Sequence, residues 1–414
     1  MPVPRRRPVL TQRHVARLLV GTLIGRLPTG MAPVAIMLLV TGQGGTLAQG
    51  GTLCALYGLT AALGQPLLGR LVDRRGQTSA TTMAVLVTTA CLSVLPLIDT
   101  ATQQAYAAAA VTLAGFSTPP LEANLRALWS SVLPDPVQRR AALALDTGCQ
   151  GLVFIVGPPL VAVLHTAYGP ATAMAVTTGL GLFGALLVLT ARPSRRWRPE
   201  PDRRPAGILG PLRHRGLPSL LLALTGTGFA LGALNVWAIS EADAQGMSLL
   251  SGMIPAALSV GSLLGGALYG RRAWPGSLRT QLTLGASLFT FAWLPLVLTE
   301  GPLSASLLPL LPGLFLPVVI TCSFLAIEVL APVDSLTEAY AWLIAAVGIG
   351  QAAGTALAGQ ASAEPVLGAM LPAAGAVATL LVLLAARRAL AAAHSAPRRG
   401  RHRRTAPGRH AVCP

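Results

Sequence analysis

Apolar residues run along this chain in stretches of about 20, divided by short polar clusters, and no segment alternates apolar and polar positions as a barrel strand would. The stretches cover residues 16–40, 47–71, 79–98, 103–128, 140–164, 170–191, 216–240, 247–270, 276–299, 303–330, 335–359 and 364–386. About 20 residues at 1.5 Å each cross roughly 30 Å of hydrocarbon, and lipid offers backbone amides no partner, so each stretch is expected to be a transmembrane helix. The first is too long for a secretory signal, lacks a small-residue cleavage site and is followed by eleven like it, so it is read as retained. The pattern predicts an all-α membrane protein with 12 transmembrane helices.

Composition agrees: 53% of the 414 residues are hydrophobic and 11% charged, against about 25% charged in a soluble domain. The formal net charge of +17 would suit nucleic acid, but its placement argues otherwise. There is no lysine, and thirty of the 31 arginines fall in the N-terminal segment (Arg5, Arg6, Arg7, Arg13, Arg17), in alternate loops or helix ends, or in the tail from Arg387. The other loops hold Asp99, Glu241, Asp243, Glu300 and Glu364 and no arginine. This is the positive-inside pattern; it puts both termini in the cytoplasm and removes the case for nucleic acid. Cys54, Cys91, Cys149 and Cys322 lie in apolar stretches and Cys413 in the tail, without paired spacing, and the histidines are isolated. No disulfide framework, metal site or cofactor is therefore expected. A P-loop, a nucleophile elbow and zinc-helix spacing are all lacking, so neither nucleotide hydrolysis nor another enzyme activity is expected.

"RRWRPEPDRRPAGILGPLRHR", from Arg195 to Arg215, is the one long internal loop, and it divides the stretches six and six. An offset of 197 aligns the halves: "GRLVDRRG" at Gly69 falls on "GALYGRRA" at Gly266, pairing Gly69 with Gly266, Leu71 with Leu268, Arg74 with Arg271 and Arg75 with Arg272. The same offset carries Val132, Leu133, Gly151 and Gly157 onto Val329, Leu330, Gly348 and Gly354. The expected organisation is an N-terminal segment 1–15, a six-helix bundle 16–191, a basic linker 192–215, a second six-helix bundle 216–387 and a disordered basic tail 388–414. Two such repeats are the plan of many secondary transporters, with substrate held between the halves.

Gly69, Leu71, Asp73, Arg74 and Gly76 in "GRLVDRRG" resemble the Gly-x-Leu-x-Asp-Arg-x-Gly loop between helices 2 and 3 of the major facilitator superfamily, with Gln77 and Thr78 where the family has further basic residues. "GCQGLVFIVGPPL" resembles the Gly-Pro motif of the superfamily's antiporters, with Gly157 and Pro158 in register. The arginine that drug-proton antiporters place ahead in helix 4 is replaced by Val111. The resemblance implies a pseudo-symmetric twelve-helix fold. It also implies that Asp73 docks on the start of the eleventh span as an inner latch, where "SLTE" offers a capping box of Ser335 and Glu338.

Arg26 lies roughly 12 Å into the first span. Facing lipid there would cost from about 3 to more than 10 kcal/mol, so it must face a cavity or a partner. Glu122, one turn from Arg126, and Asp146, with Gln150 a turn further on the same face, are the candidate partners in the same half. Arg26, Glu122 and Asp146 are expected to form a polar centre in which one carboxylate exchanges a proton. Burial raises a carboxylate's proton affinity and a neighbouring arginine lowers it, so movement of Arg26 would switch it. A static ion-paired cluster is the competing reading. Asn235 and Trp237 in the seventh span are candidates for the cavity wall, with plain packing as the alternative; Glu328 and Glu338 read as latch or cap residues.

The expected function is secondary active transport: proton-coupled efflux of small, partly apolar molecules such as antibiotics, drugs or secondary metabolites. The alternative is an importer or facilitator of a polar metabolite, sugar or organic anion, with Arg26 as counter-ion. The protein is expected to act as a monomer in a bacterial cell membrane. Its partners would be a small-molecule substrate, protons and, at the Arg-rich tail, anionic lipid.

Overall fold

The computed structural model describes residues 11–387 apart from 101, 198–209, 214–215, 248, 272–273, 333–334 and 362–364. The expected tail 388–414, most of the N-terminal segment and the middle of the linker, together with Arg272, Glu364 and Cys413, lie outside the described residues.

Every regular element among the described residues is helical. The first bundle comprises α1 (Val15–Gly42), α2 (Leu47–Arg75), α3 (Gln77–Val94), α4 (Gln104–Phe116), α5 (Leu121–Val132), α6 (Pro136–Tyr168) and α7 (Pro170–Leu189). After the short α8 (Arg192–Arg196) come α9 (Leu217–Ala244), α10 (Leu250–Arg271), α11 (Leu278–Trp293), α12 (Pro302–Leu307), α13 (Leu310–Leu330), α14 (Leu336–Gln360) and α15 (Pro365–Ala385). Eleven segments among the described residues are long and apolar enough to cross a membrane, and the one at Pro302–Leu330, the tenth of the expected spans, is made of α12 and α13 together.

The fourth expected span departs from the reading: 103–128 is not one helix but α4 and α5, separated at Ser117–Pro120. Pro119 and Pro120 supply no amide donors, and each disfavours helical geometry in the residue before it. Gln65 Nε2 meets the freed Thr118 carbonyl at 3.2 Å. The break restarts the helix at Leu121 and so puts Glu122 in a first turn, where unpaired amides and the helix dipole favour a carboxylate. The turn at Asp135 follows sequence: its side chain accepts the Val137 amide at 3.0 Å with Pro136 beginning α6.

The bundles meet along α2 with α14 and α6 with α10. The 197-residue repeat recurs in these contacts. A β-carbon on Gly69 would lie 3.0 Å from Ala341 Cβ and from the Thr337 carbonyl. One on its equivalent Gly266 would lie 2.4 Å from the carbonyl of Ala144, the equivalent of Ala341. Only glycine lets the backbones approach so closely.

Candidate functional site

Arg26 projects from the middle of α1, Glu122 and Arg126 from successive turns of α5, and Asp146 from the third turn of α6. They meet in one cluster. Arg26 Nη2 lies 2.5 Å from Glu122 Oε2 and Arg26 Nη1 3.7 Å from Asp146 Oδ1. Arg126 holds the other two oxygens, Nη1 to Glu122 Oε1 at 2.6 Å and Nε to Asp146 Oδ2 at 2.8 Å. Two guanidinium and two carboxylate groups balance, which is how charges at this depth are tolerated. Asp146 Oδ1 and Arg26 Nη1 face each other without a hydrogen-bond partner.

Arg126 corrects the sequence reading, which assigned it to a helix end. Its side chain is 0% exposed and is the counterpart of both carboxylates. Its one-turn spacing from Glu122 is legible in the sequence, but its pairing with Asp146 of α6 is not.

The cluster forms part of the wall of a cavity of about 850 Å³ between the bundles, within the range of small-molecule sites. Arg26, Glu122, Arg126 and Gln150 line it from the first bundle and Asn235 and Gln351 from the second, among many apolar side chains including Leu92, Phe154 and Leu316. Trp237 does not line it: it is 3% exposed within the hydrophobic core. Two helical steps rotate a side chain by about 200°, so Asn235 in the cavity commits Trp237 to the opposite face. Pro158 lines the cavity, while Gly157 packs on α1, where a β-carbon would lie 3.2 Å from Met31 Cγ.

The lining reaches Leu249, Ser251 and Gly252 at the end carrying the acidic loops. At the other end, which carries the arginines, polar contacts join the bundles. Asp73, 2% exposed in the last turn of α2 rather than in a loop after it, accepts the amides of Thr337 at 3.3 Å and Glu338 at 2.8 Å. Gly76, at φ 95°, makes the abrupt turn into α3. Arg74 is exposed in the same last turn. The capping box anticipated at Ser335 does not form. Its side chain makes no cap hydrogen bond, because Asp73 has taken the amides it would have served, and Glu338 instead faces Arg70 at 3.9 Å. Nearby, Arg139 of α6 pairs with Glu328 of α13 at 2.6 Å.

The described ends of the linker also pack on the bundles. Ser194 in α8 is buried and its carbonyl accepts the Thr78 hydroxyl at 3.1 Å, and a β-carbon on Gly210 would lie 2.8 Å from Glu338 Oε1.

A family model described as Major Facilitator Superfamily matches residues 18–355. No curated protein matches the sequence. Among solved structures, the human organic anion transporter MFSD10 (TETRAN) is 17% identical, with TM-score 0.69 over 92% of this chain and 100% of that one. The E. coli fucose:proton symporter FucP is 12% identical, with TM-score 0.70 over 90% and 98%. A bacterial homologue of the iron transporter ferroportin in an outward-facing state is 12% identical, with TM-score 0.68 over 91% and 100%. At these identities the likeness is one of fold.

Proposed function

The chain belongs to the major facilitator superfamily, and from that premise we propose that this multi-pass membrane transporter is a proton-coupled exporter of small, partly apolar molecules, working by alternating access. Antibiotics, drugs and secondary metabolites are the substrate classes in view. The arginine-bearing end is taken as cytoplasmic on the positive-inside rule, which places both termini inside and makes the present conformation outward-facing. We place it as a monomer in a bacterial cell membrane.

The observation that carries the reading is the balanced four-charge cluster beside the cavity, with one carboxylate oxygen, Asp146 Oδ1, lacking a hydrogen bond. A proton on Asp146 removes half of the negative charge that holds Arg26, and the guanidinium then moves toward the cavity. A substrate body seated over the Arg26–Glu122 pair keeps Arg26 against the carboxylates and Asp146 ionised. Substrate and proton are therefore alternative occupants, as antiport requires. Asp73 and the Arg139–Glu328 pair act as the latch that opens when the protein turns inward.

A second reading has an observation in its favour. Four carboxamides, Gln65, Gln150, Asn235 and Gln351, line the cavity and suit a polar metabolite or organic anion with Arg26 as its counter-ion.

Proteoliposomes with an acidic interior and an internal pH dye distinguish the two. Lipophilic drugs should trigger alkalinisation in the wild type, and the response should vanish in Arg26→Ala and Asp146→Asn. Radiolabelled polar metabolites that equilibrate while no compound moves protons would replace the exporter with the facilitator.

A further inference from the structure

The cluster does not end within its own bundle. The Arg126 guanidinium carbon lies 3.5 Å from the ring centroid of Phe324, which belongs to α13 of the other bundle. The Phe324 ring in turn meets Tyr340 of α14 edge to face, with centroids 5.3 Å apart. The Tyr340 hydroxyl reaches Glu328 Oε1 at 3.3 Å, and the other oxygen of Glu328 pairs with Arg139 back on α6. Arg126 and Phe324 are 1% and 0% exposed, so their contact is well shielded although both belong to the cavity wall.

Two features make this more than packing. First, Arg126 stands in one bundle and Phe324 in the other, so any relative rotation of the bundles must break or rebuild the contact. Second, the guanidinium is held over the ring by Asp146 at Nε and Glu122 at Nη1, the two carboxylates of the cluster. Neutralising Asp146 removes a charge-assisted hydrogen bond that fixes the plane and position of Arg126. The strength of an inter-bundle contact is thus tied to the charge state of the site.

We infer that Phe324 is a positioning residue that transmits the charge state of the Asp146–Arg126–Glu122 cluster to the closed contact between the bundles at the arginine end. With Asp146 ionised, Arg126 is clamped flat against Phe324 and the bundles are held together. With Asp146 protonated, Arg126 is released, the contact weakens and that end opens. This rests on the proposed role of Asp146 as the proton site.

The test reads conformation rather than transport. Spin labels at Arg75 and Arg387, exposed residues at the arginine end of either bundle, report the fraction of molecules open there in nanodiscs. Asp146→Asn, an uncharged stand-in for the protonated acid, should raise the open-to-closed ratio about tenfold when Phe324 is present, the order of a desolvated cation–π contact. In a Phe324→Leu background the same change should shift the ratio by less than about twofold, and Phe324→Tyr, which keeps the ring, should restore the response. Should Phe324→Leu not fold, Phe324→Met supplies similar volume without a ring face. An Asp146→Asn response undiminished by loss of the ring overturns the inference and leaves the proton site standing. No response with Phe324 in place overturns both.

Discussion

Two seams close the arginine end, and the 197-residue repeat makes them equivalents, yet they are built differently. At α2 and α14, Gly69 approaches Ala341 and Asp73 caps the amides of Thr337 and Glu338. At α10 and α6, Gly266 approaches Ala144, and the pair equivalent to Asp73 and Glu338 is Gly270 against Ala141, with a virtual β-carbon 3.1 Å from Ala141 Cα. The same backbone approach thus carries a directional polar latch on one side and, on the other, glycine contact with only a looser cation–π approach, the Arg140 guanidinium of α6 lying 5.9 Å from the ring centroid of Tyr269 in α10. Hydrogen bonds are lost within a fraction of an ångström of displacement, whereas a smooth glycine surface can slide while remaining in contact. The difference assigns separate tasks to the seams in the proposed cycle: α2/α14 releases, and α6/α10 bears the motion.

The cavity shows the same division. Under the offset, Arg126 and Asp146 of the first bundle correspond to Ser323 and Leu343 of the second. The repeat supplies the scaffold twice, but charge is concentrated in one copy, so that in the proposed cycle rocking one bundle against the other changes the surroundings of one charged cluster, the proposed proton site.

The largest effect should come from removing the shape on which both seams depend. Gly266→Leu puts a side chain where even a β-carbon lies 2.4 Å from a backbone oxygen that has nowhere to go. The closed arginine end should lose at least about 3 kcal/mol, with transport below about 1% of wild type. Gly69→Leu, whose β-carbon would lie 3.0 Å from its neighbours, should be severe but milder. Transport rates beside melting temperatures separate a blocked cycle from a misfolded protein; wild-type rates in Gly266→Leu would remove the sliding seam from the account.

Asp73→Asn comes next. Its amide retains one acceptor oxygen but sets a donor against the second backbone N–H, a loss of about 2 kcal/mol and roughly thirtyfold in the closed-to-open ratio. The ratio can be read with spin labels at Arg75 and Arg387. An unchanged ratio would mean that the glycine contact alone holds this seam, erasing the contrast with its equivalent. Arg139→Gln should follow at about 1 kcal/mol or less, because both members of its pair with Glu328 are partly exposed and screened.

Much of this was legible before any coordinates. The spans follow from hydropathy alone, because the bilayer leaves the backbone few choices, and Arg26 announced a cluster through the cost of leaving it unpaired. What escaped had physical causes. Arg126 counted as one more topogenic arginine despite its one-turn spacing from Glu122, because spacing along one helix does not show that Asp146 of another helix meets the same guanidinium. Ser335 and Glu338 formed a convincing local cap until a carboxylate 265 positions from Glu338 in sequence took the amides. The break between α4 and α5 was written in Pro119 and Pro120 but was overridden by the length of the apolar run.

The smallest expected effect tests how far the line from cluster to latch depends on its last polar link. Tyr340→Phe keeps the ring against Phe324 and removes only the hydroxyl that reaches Glu328 at 3.3 Å. Glu328 retains Arg139 at 2.6 Å, so the loss should be no more than about 1 kcal/mol, a few-fold change in the closed-to-open ratio. Combined with Arg139→Gln, however, the change leaves Glu328 with neither partner, and the double variant should exceed the sum of the singles because a half-buried carboxylate then stands alone. Strict additivity would make the hydroxyl a bystander and end the polar line at the Phe324 ring; a surplus would extend it to the α6 side of the sliding seam, the side that has no carboxylate cap of its own.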